Sequence, residues 1–305
     1  MGAESLRTPL WQLATYSNGG FDLYRVGIKE PQHLGVGRSA GGYSTAPNGR
    51  FLVYASKDGR HGMGHIYRLD TTTGKELKLT ADPFYFGQLE TSEAELYSEP
   101  EISPDSRSIA FAVHRVSNND SDDLVGLSGP IAVMDLESGN ARVLETTRNI
   151  DGQGPCFANT LRWSPDGKRI LFACEVTGGI ASADGKGLHR LDDQLRGPVG
   201  KEGDALPVGW LSDDEILYVW NAGDQVAGVG ELFVLNLHSN KSVPAAPRLR
   251  LTRALLENLV SLDLTKQFLV INRVDKSEIL ARAGKLPRDF PSSVAGAARL
   301  RADIH

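Results

Sequence analysis

Cysteine is nearly absent from this sequence: Cys156 and Cys174 are the only two among 305 residues. Two thiols make neither the disulfide framework of a small secreted scaffold nor a cysteine-rich zinc site, so both are expected reduced, with Cys174 a small buried apolar side chain. Long apolar runs are missing too. No 18 apolar residues run together, and the opening "MGAESLRTPLWQLATYSNGG" lacks the basic start and apolar centre of a secretory signal. No membrane span is expected. The chain reads as cytoplasmic as written, and as periplasmic or secreted if a leader has been removed. Positive charge is the third shortage: 33 Lys and Arg face 38 Asp and Glu, a net charge of −5. A phosphate-backbone binder needs clustered cations to displace counterions, so nucleic acid is not an expected partner.

What is present in quantity is turn chemistry, with 33 Gly and 15 Pro, beside enough aliphatic and aromatic residues (40%) to fill a core. Short apolar runs recur: "WQLATYS" from Trp11, "RFLVYAS" from Arg50, "SIAFAVH" from Ser108, "RILFACE" from Arg169, "EILYVWN" from Glu215 and "QFLVINR" from Gln267. Each is apolar at both parities, the pattern of a strand buried on both faces. Four of them follow related turns, "APNGR" at Ala46, "SPDSR" at Ser103, "SPDGK" at Ser164 and "LSDDE" at Leu211. In such turns Pro presets φ at the first corner, while Asn, Asp or Gly accepts the tight or left-handed one. A further strand follows each run, such as "HIYRLDT" from His65 or "PIAVMDL" from Pro130. Then come a polar turn and a last short strand, such as "ELKLT".

Four strands recurring every ~40 to 50 residues are the mark of a β-propeller blade. One such sheet cannot bury its own faces, whereas a ring of them buries each against a neighbour. The expectation is therefore an all-β fold, a six-bladed β-propeller of four-stranded antiparallel blades closed by the chain termini. As a single domain over residues 1–305, its blade cores fall near 11–37, 43–81, 98–147, 158–193, 205–252 and 258–284, with 285–305 a tail or closing strand.

The segments "SPDSRSIAFAV", "SPDGKRILFAC" and "APNGRFLVYASKDGRHGMGHIYRLDTTTGKELKLT" resemble the repeats of TolB-like propellers. In that family x-SPDG-x-x-[IL]-x-[FY] opens a blade and IY-x-x-D-x-x-x-G continues it. The likeness spans residues 11 to 284 and is strongest from 43 to 175. It implies the propeller fold; it carries little about function, because unrelated activities share this scaffold.

Strand alternation sorts the connections into two ends. Turns joining first to second and third to fourth strands are short and lie at one end. The other end receives the long ones: 81–99, 115–129, 149–159, 193–205 and 221–230. Long connections on a rigid scaffold commonly carry function. Those here mix carboxylates with aromatic rings, which suits a peptide, a protein or a glycan segment. Candidate binding residues are Tyr85, Glu93, Glu95, Tyr97, Glu99, Asp120, Asp122, Asn159, Asp204 and Asn258.

No local motif points to catalysis. "GRSAG" at Gly37 fits the G-x-S-x-G of a nucleophile elbow and "GVGRSA" a dinucleotide fingerprint, yet both lie between strands with no helix to follow. His61 and His65 have the i, i+4 spacing of a metal pair, but Gly62 and Gly64 argue against the helix that would align them. "NNDSDD" at Asn118 lacks the central Gly and distal Glu of a calcium loop. The first expectation is thus a non-catalytic binding propeller without cofactor. The alternative is a lyase, lactonase or hydrolase using Glu95, Glu99, Asn159, Asp204 and Asn258 at the channel mouth, with a divalent cation as its possible cofactor.

Overall fold

The computed structural model describes residues 12–17, 19–25, 30–57, 64–80, 93–117, 130–144, 147, 160–173, 178–191, 194–195, 197, 203–222 and 231–245, and the backbone of the strands within 259–294. Among them there is no α-helix, hence none able to cross a membrane, and the strands form six antiparallel sheets in chain order.

Sheet one holds β1 (Gln12–Ser17), β2 (Gly20–Arg25) and β3 (Gln32–Gly35). Sheet two holds β4 (Ala40–Thr45), β5 (Phe51–Ser56), β6 (Ile66–Asp70) and β7 (Glu76–Lys78). In sheet three are β8 (Glu93–Ile102), β9 (Ser108–Ser117), β10 (Ile131–Asp135) and β11 (Ala141–Val143). In sheet four are β12 (Thr160–Trp163), β13 (Arg169–Ala173), β14 (Gly178–Ser182) and β15 (Leu188–Arg190). Sheet five comprises β16 (Gly203–Ser212), β17 (Glu215–Ala222), β18 (Glu231–Asn236) and β19 (Lys241–Pro244). Sheet six comprises β20 (Leu259–Leu264), β21 (Phe268–Arg273), β22 (Ser277–Ala281) and β23 (Ser293–Val294).

The expected four-stranded unit is met in five sheets; the first has three strands among the described residues. In the sixth, Ser293 and Val294 pair with Glu278 and Ser277. The fourth strand there thus comes from the tail.

The core lies between sheets, as strands apolar at both parities require. In β5, Leu52 and Tyr54 turn to Phe21 and Leu23 of sheet one, while Phe51, Val53 and Ala55 turn to Ile102, Ile109 and Phe111 of sheet three. The same division recurs in β9, whose Ala110 and Ala112 face Leu161, Trp163 and Phe172 of sheet four. In β13, Leu171 in turn meets Trp210 and Tyr218 of sheet five. Each such Leu, Ile or Phe, withdrawn from water on both sides, contributes about 1.5–3 kcal/mol. The outer strands β3, β7, β11, β15 and β19 have no fully buried residue.

Direct bonds stitch the first strands together. Ile102 donates its backbone N–H to Ser44 Oγ (3.1 Å), and Trp163 donates Nε1–H to the carbonyl of Glu101 (3.0 Å). Trp210 does the same to the carbonyl of Arg162 (3.0 Å). Tyr43 reaches the carbonyl of Ala14 at 2.9 Å.

Candidate functional site

Polar groups of the described turns have their partners close at hand. At the short-turn end they bond to one another. Ser103 donates its hydroxyl to Asp105 (2.6 Å), whose carboxylate also accepts the N–H of Arg107 (3.0 Å), while Ser103 Oγ accepts from the N–H of Ser108 (2.9 Å). Ser164, Asp166, Lys168 and Arg169 repeat the pattern. The outer turns follow suit. Asp70 accepts from the N–H groups of Thr72 and Thr73 and the Thr73 hydroxyl; Asp135 accepts from Glu137 and Ser138 likewise.

These bonds stabilise the ionised carboxylates. The Thr73 N–H above all, then its hydroxyl, lowers the pKa of Asp70, and Ser138 does the same for Asp135. At Asp105 and Asp166 partial burial works the other way, but the Ser103 and Ser164 hydroxyls, backbone N–H donors and neighbouring cations outweigh it, and both are lowered. A carboxylate so engaged has little left to offer a ligand.

The opposite end collects the connections at 57–65, 79–92, 118–130, 144–159, 191–202, 223–230 and 245–258. Of the residues singled out in the sequence, Tyr85, Asp120, Asp122, Asn159 and Asn258 lie outside the described residues, as does His61. Glu93, Glu95 and Asp204 fall on strands rather than in loops: Glu93 pairs with Ser117, Glu95 with Arg115 and Asp204 with Asn221. The hairpin of β8 and β9, ten residues to each strand, takes up positions expected to be loop, since its apolar residues have neighbouring sheets to pack on.

Tyr97 is fully buried. Its ring meets Phe111 edge-on at 5.6 Å and lies 6.2 Å from the His65 ring, while its N–H bonds to the carbonyl of Gly64 (2.9 Å). It therefore sits in the seam between sheets two and three, beneath the connections.

Glu99 occupies a different kind of position. The β8–β9 register shifts between Ser98 and Glu101, and Glu99 within that bulge has φ 50°, a left-handed conformation that non-glycine residues rarely adopt. Its carboxylate lies against Gly42 of the adjacent first strand, where a Cβ would come 3.1 Å from Glu99 Oε1. Register shifts also occur in β4, β16 and β20, so four first strands bend along their length. One turn-ward of the bulge, Glu101 pairs with Arg162 of β12 (Nη1 to Oε2, 3.9 Å), each side chain 12% exposed.

Sequence reasoning missed one pair here. Ser98 Oγ and His114 Nε2 are 2.6 Å apart, with the imidazole fully buried and the serine half-buried. The two residues become neighbours only through the pairing of Leu96 with His114 and Ser98 with Ala112. A second histidine, His65, binds Thr80 Oγ1 through Nδ1 (3.0 Å), and its N–H donates to Ser56 Oγ (3.0 Å). Among the described residues no group of three or more His, Cys, Asp or Glu is disposed to hold a metal.

No family model matches the sequence, and no curated protein matches it. Solved structures do. A TolB-like protein from Agrobacterium tumefaciens is 20% identical, with 76% of each chain covered and a TM-score of 0.51. An oligogalacturonate lyase from Vibrio parahaemolyticus is 11% identical over 91% of this chain and 73% of its own, with a TM-score of 0.55. A chain of a nidogen–laminin complex is 11% identical over 89% of both, with a TM-score of 0.53. The chain is thus a β-propeller, similar in fold to the TolB-like kind; at these identities the likeness concerns fold alone.

Proposed function

We propose that this chain is a binding propeller, its six sheets the six blades of a ring completed by the chain ends, and that it holds a peptide, protein or glycan segment at its long-connection end. The observation that carries this reading is the contrast between the ends. Asp70, Asp105, Asp135 and Asp166 are committed to their own turns, whereas the acidic and aromatic residues of 81–92 and 118–129 belong to chain in excess of what a hairpin needs, running up to the paired ends of β8 and β9. Glu93, Glu95, Glu99, Asp120, Asp122, Asn159, Asp204 and Asn258 would orient the ligand, and Tyr85 would give apolar contact. Tyr97 would support them from the seam below. Solved propellers of this shape include a chain of a nidogen–laminin complex and a lyase, so both binding and catalytic uses of the scaffold exist.

The test is binding of the purified chain to peptide and glycan arrays, before and after residues 84–92 are replaced by a Gly-Ser linker. These residues precede β8, so the strand itself keeps its sequence. Loss of the captured ligand with unchanged thermal unfolding is the expected result. Undiminished binding would remove this end from consideration.

A second reading, catalysis at the same end, is favoured by the Ser98–His114 pair.

A further inference from the structure

We propose that Ser98 is the nucleophile of an acyl-transfer site, with His114 as its base and a carboxylic ester as its substrate class. The inference goes beyond binding and stands whether or not the neighbouring connections hold a macromolecule.

Three observations on the two residues carry it. The first is distance: 2.6 Å between Ser98 Oγ and His114 Nε2 is the reach over which an imidazole removes a hydroxyl proton. The second is the division of exposure. His114 is buried at 0% relative exposure, while Ser98 in front of it is half-buried, so a substrate would meet the hydroxyl and not the ring. Ala112 stands directly across the ladder from Ser98, so the cross-strand neighbour is a single methyl group.

The third is backbone. The bulge begins at Ser98, and the next residue, Glu99, is held at φ 50°. Bulges re-aim side chains, and a left-handed non-glycine residue persists only where its surroundings enforce it. The pair is also costly as mere filling. β9 is otherwise apolar from Ile109 to Val113, and a valine at 114 would pack there without a polar group to satisfy.

The chemistry balances. Ser98 Oγ attacks the ester carbonyl carbon as its proton passes to His114 Nε2, which requires the neutral imidazole with its proton on Nδ1. The tetrahedral adduct collapses, the C–O bond to the alcohol breaks, and the alkoxide takes the proton from Nε2. Water then attacks the acyl-serine, again giving a proton to Nε2, and the carboxylic acid leaves as Ser98 Oγ recovers it. Ester and water give acid and alcohol, with no other reactant.

The experiment is labelling of the full chain with a fluorophosphonate probe, read by intact mass and by mapping of the modified peptide. Expected are one adduct, on Ser98, none in Ser98→Ala, and labelling slowed roughly 100-fold or more in His114→Gln, the scale of a general-base contribution. Hydrolysis of p-nitrophenyl acetate should fall in parallel. Absence of an adduct on Ser98, or a His114→Gln protein that labels at the unmodified rate, would overturn the proposal. Should His114→Gln fail to fold, Ser98→Cys decides: a thiol beside a working base reacts with iodoacetamide at least tenfold faster than free cysteine, and an ordinary rate counts against the site.

Discussion

The indole Nε1–H of Trp163 is bonded to the backbone carbonyl of Glu101 at 3.0 Å, across the boundary between two sheets. Trp210 makes the same bond to Arg162 one sheet on, also at 3.0 Å, and the Arg169 guanidinium lies 4.9 Å over its ring. Each indole both fills the seam and satisfies a carbonyl of the preceding first strand. Trp163→Phe and Trp210→Phe should each cost about 1–3 kcal/mol, the penalty for leaving a buried acceptor unmade together with lost packing. Urea unfolding followed by far-UV circular dichroism measures it, as a lower midpoint with an unchanged slope.

Ser106 provides a test of opposite sign. It stands at φ 61° in the turn position that Gly49 and Gly167 occupy at 66° and 71°. Left-handed backbone costs a side-chain-bearing residue roughly 1–2 kcal/mol. Ser106→Gly should therefore stabilise the protein by up to ~1 kcal/mol despite glycine's greater freedom when unfolded, and Gly167→Ser should destabilise it. A rise in Tm for the first and a fall for the second, by calorimetry, is the expected pair.

Close approach, not φ, governs Gly179. A Cβ there would fall 2.5 Å from the Phe172 ring and 3.1 Å from the carbonyl of His189, both parts of sheet four. Gly35, in the outer strand of sheet one, has nothing within 4 Å of the same atom. Gly179→Ala should cost about 1–3 kcal/mol, as overpacking does, and Gly35→Ala should be close to neutral. Equal effects in the unfolding curves would refute the assignment of Gly179 to a packed interior position.

The committed carboxylates fix the acid limb of stability. Asp70, Asp105, Asp135, Asp166 and Asp184 are all lowered in the folded state. Their stabilisation is complete above the unfolded value of about 3.9 and is lost as pH falls through the lower folded values. Urea midpoints should thus drop between pH 5 and pH 2. Replacing Asp105 and Asp166 together by Asn should flatten that drop, while a slope identical to the parent's would count against their role.

What the sequence discloses and what it hides divide by range. The Ser-Pro-Asp-Gly turns were legible because Ser164, Asp166, Lys168 and Arg169 bond to each other within six residues. Double-sided burial was legible because β5 is apolar at both parities, and residues 52 and 53 do face different sheets. Loop extent was less so. "EAELYSE" from Glu93 reads as the end of a long connection, yet it belongs to strand β8 because Tyr97 finds Phe111 and His65, partners distant in sequence. The Ser98–His114 pair was illegible for the same reason: its geometry depends on a register that no spacing between positions 98 and 114 encodes.

The stitches from Tyr43 to Ala14, Ile102 to Ser44, Trp163 to Glu101 and Trp210 to Arg162 each join a sheet to the one before it in the chain. A nascent chain emerging from the ribosome therefore meets the partner for each new hairpin already waiting, and can assemble in the order of its synthesis, each sheet covering an apolar face of the one before.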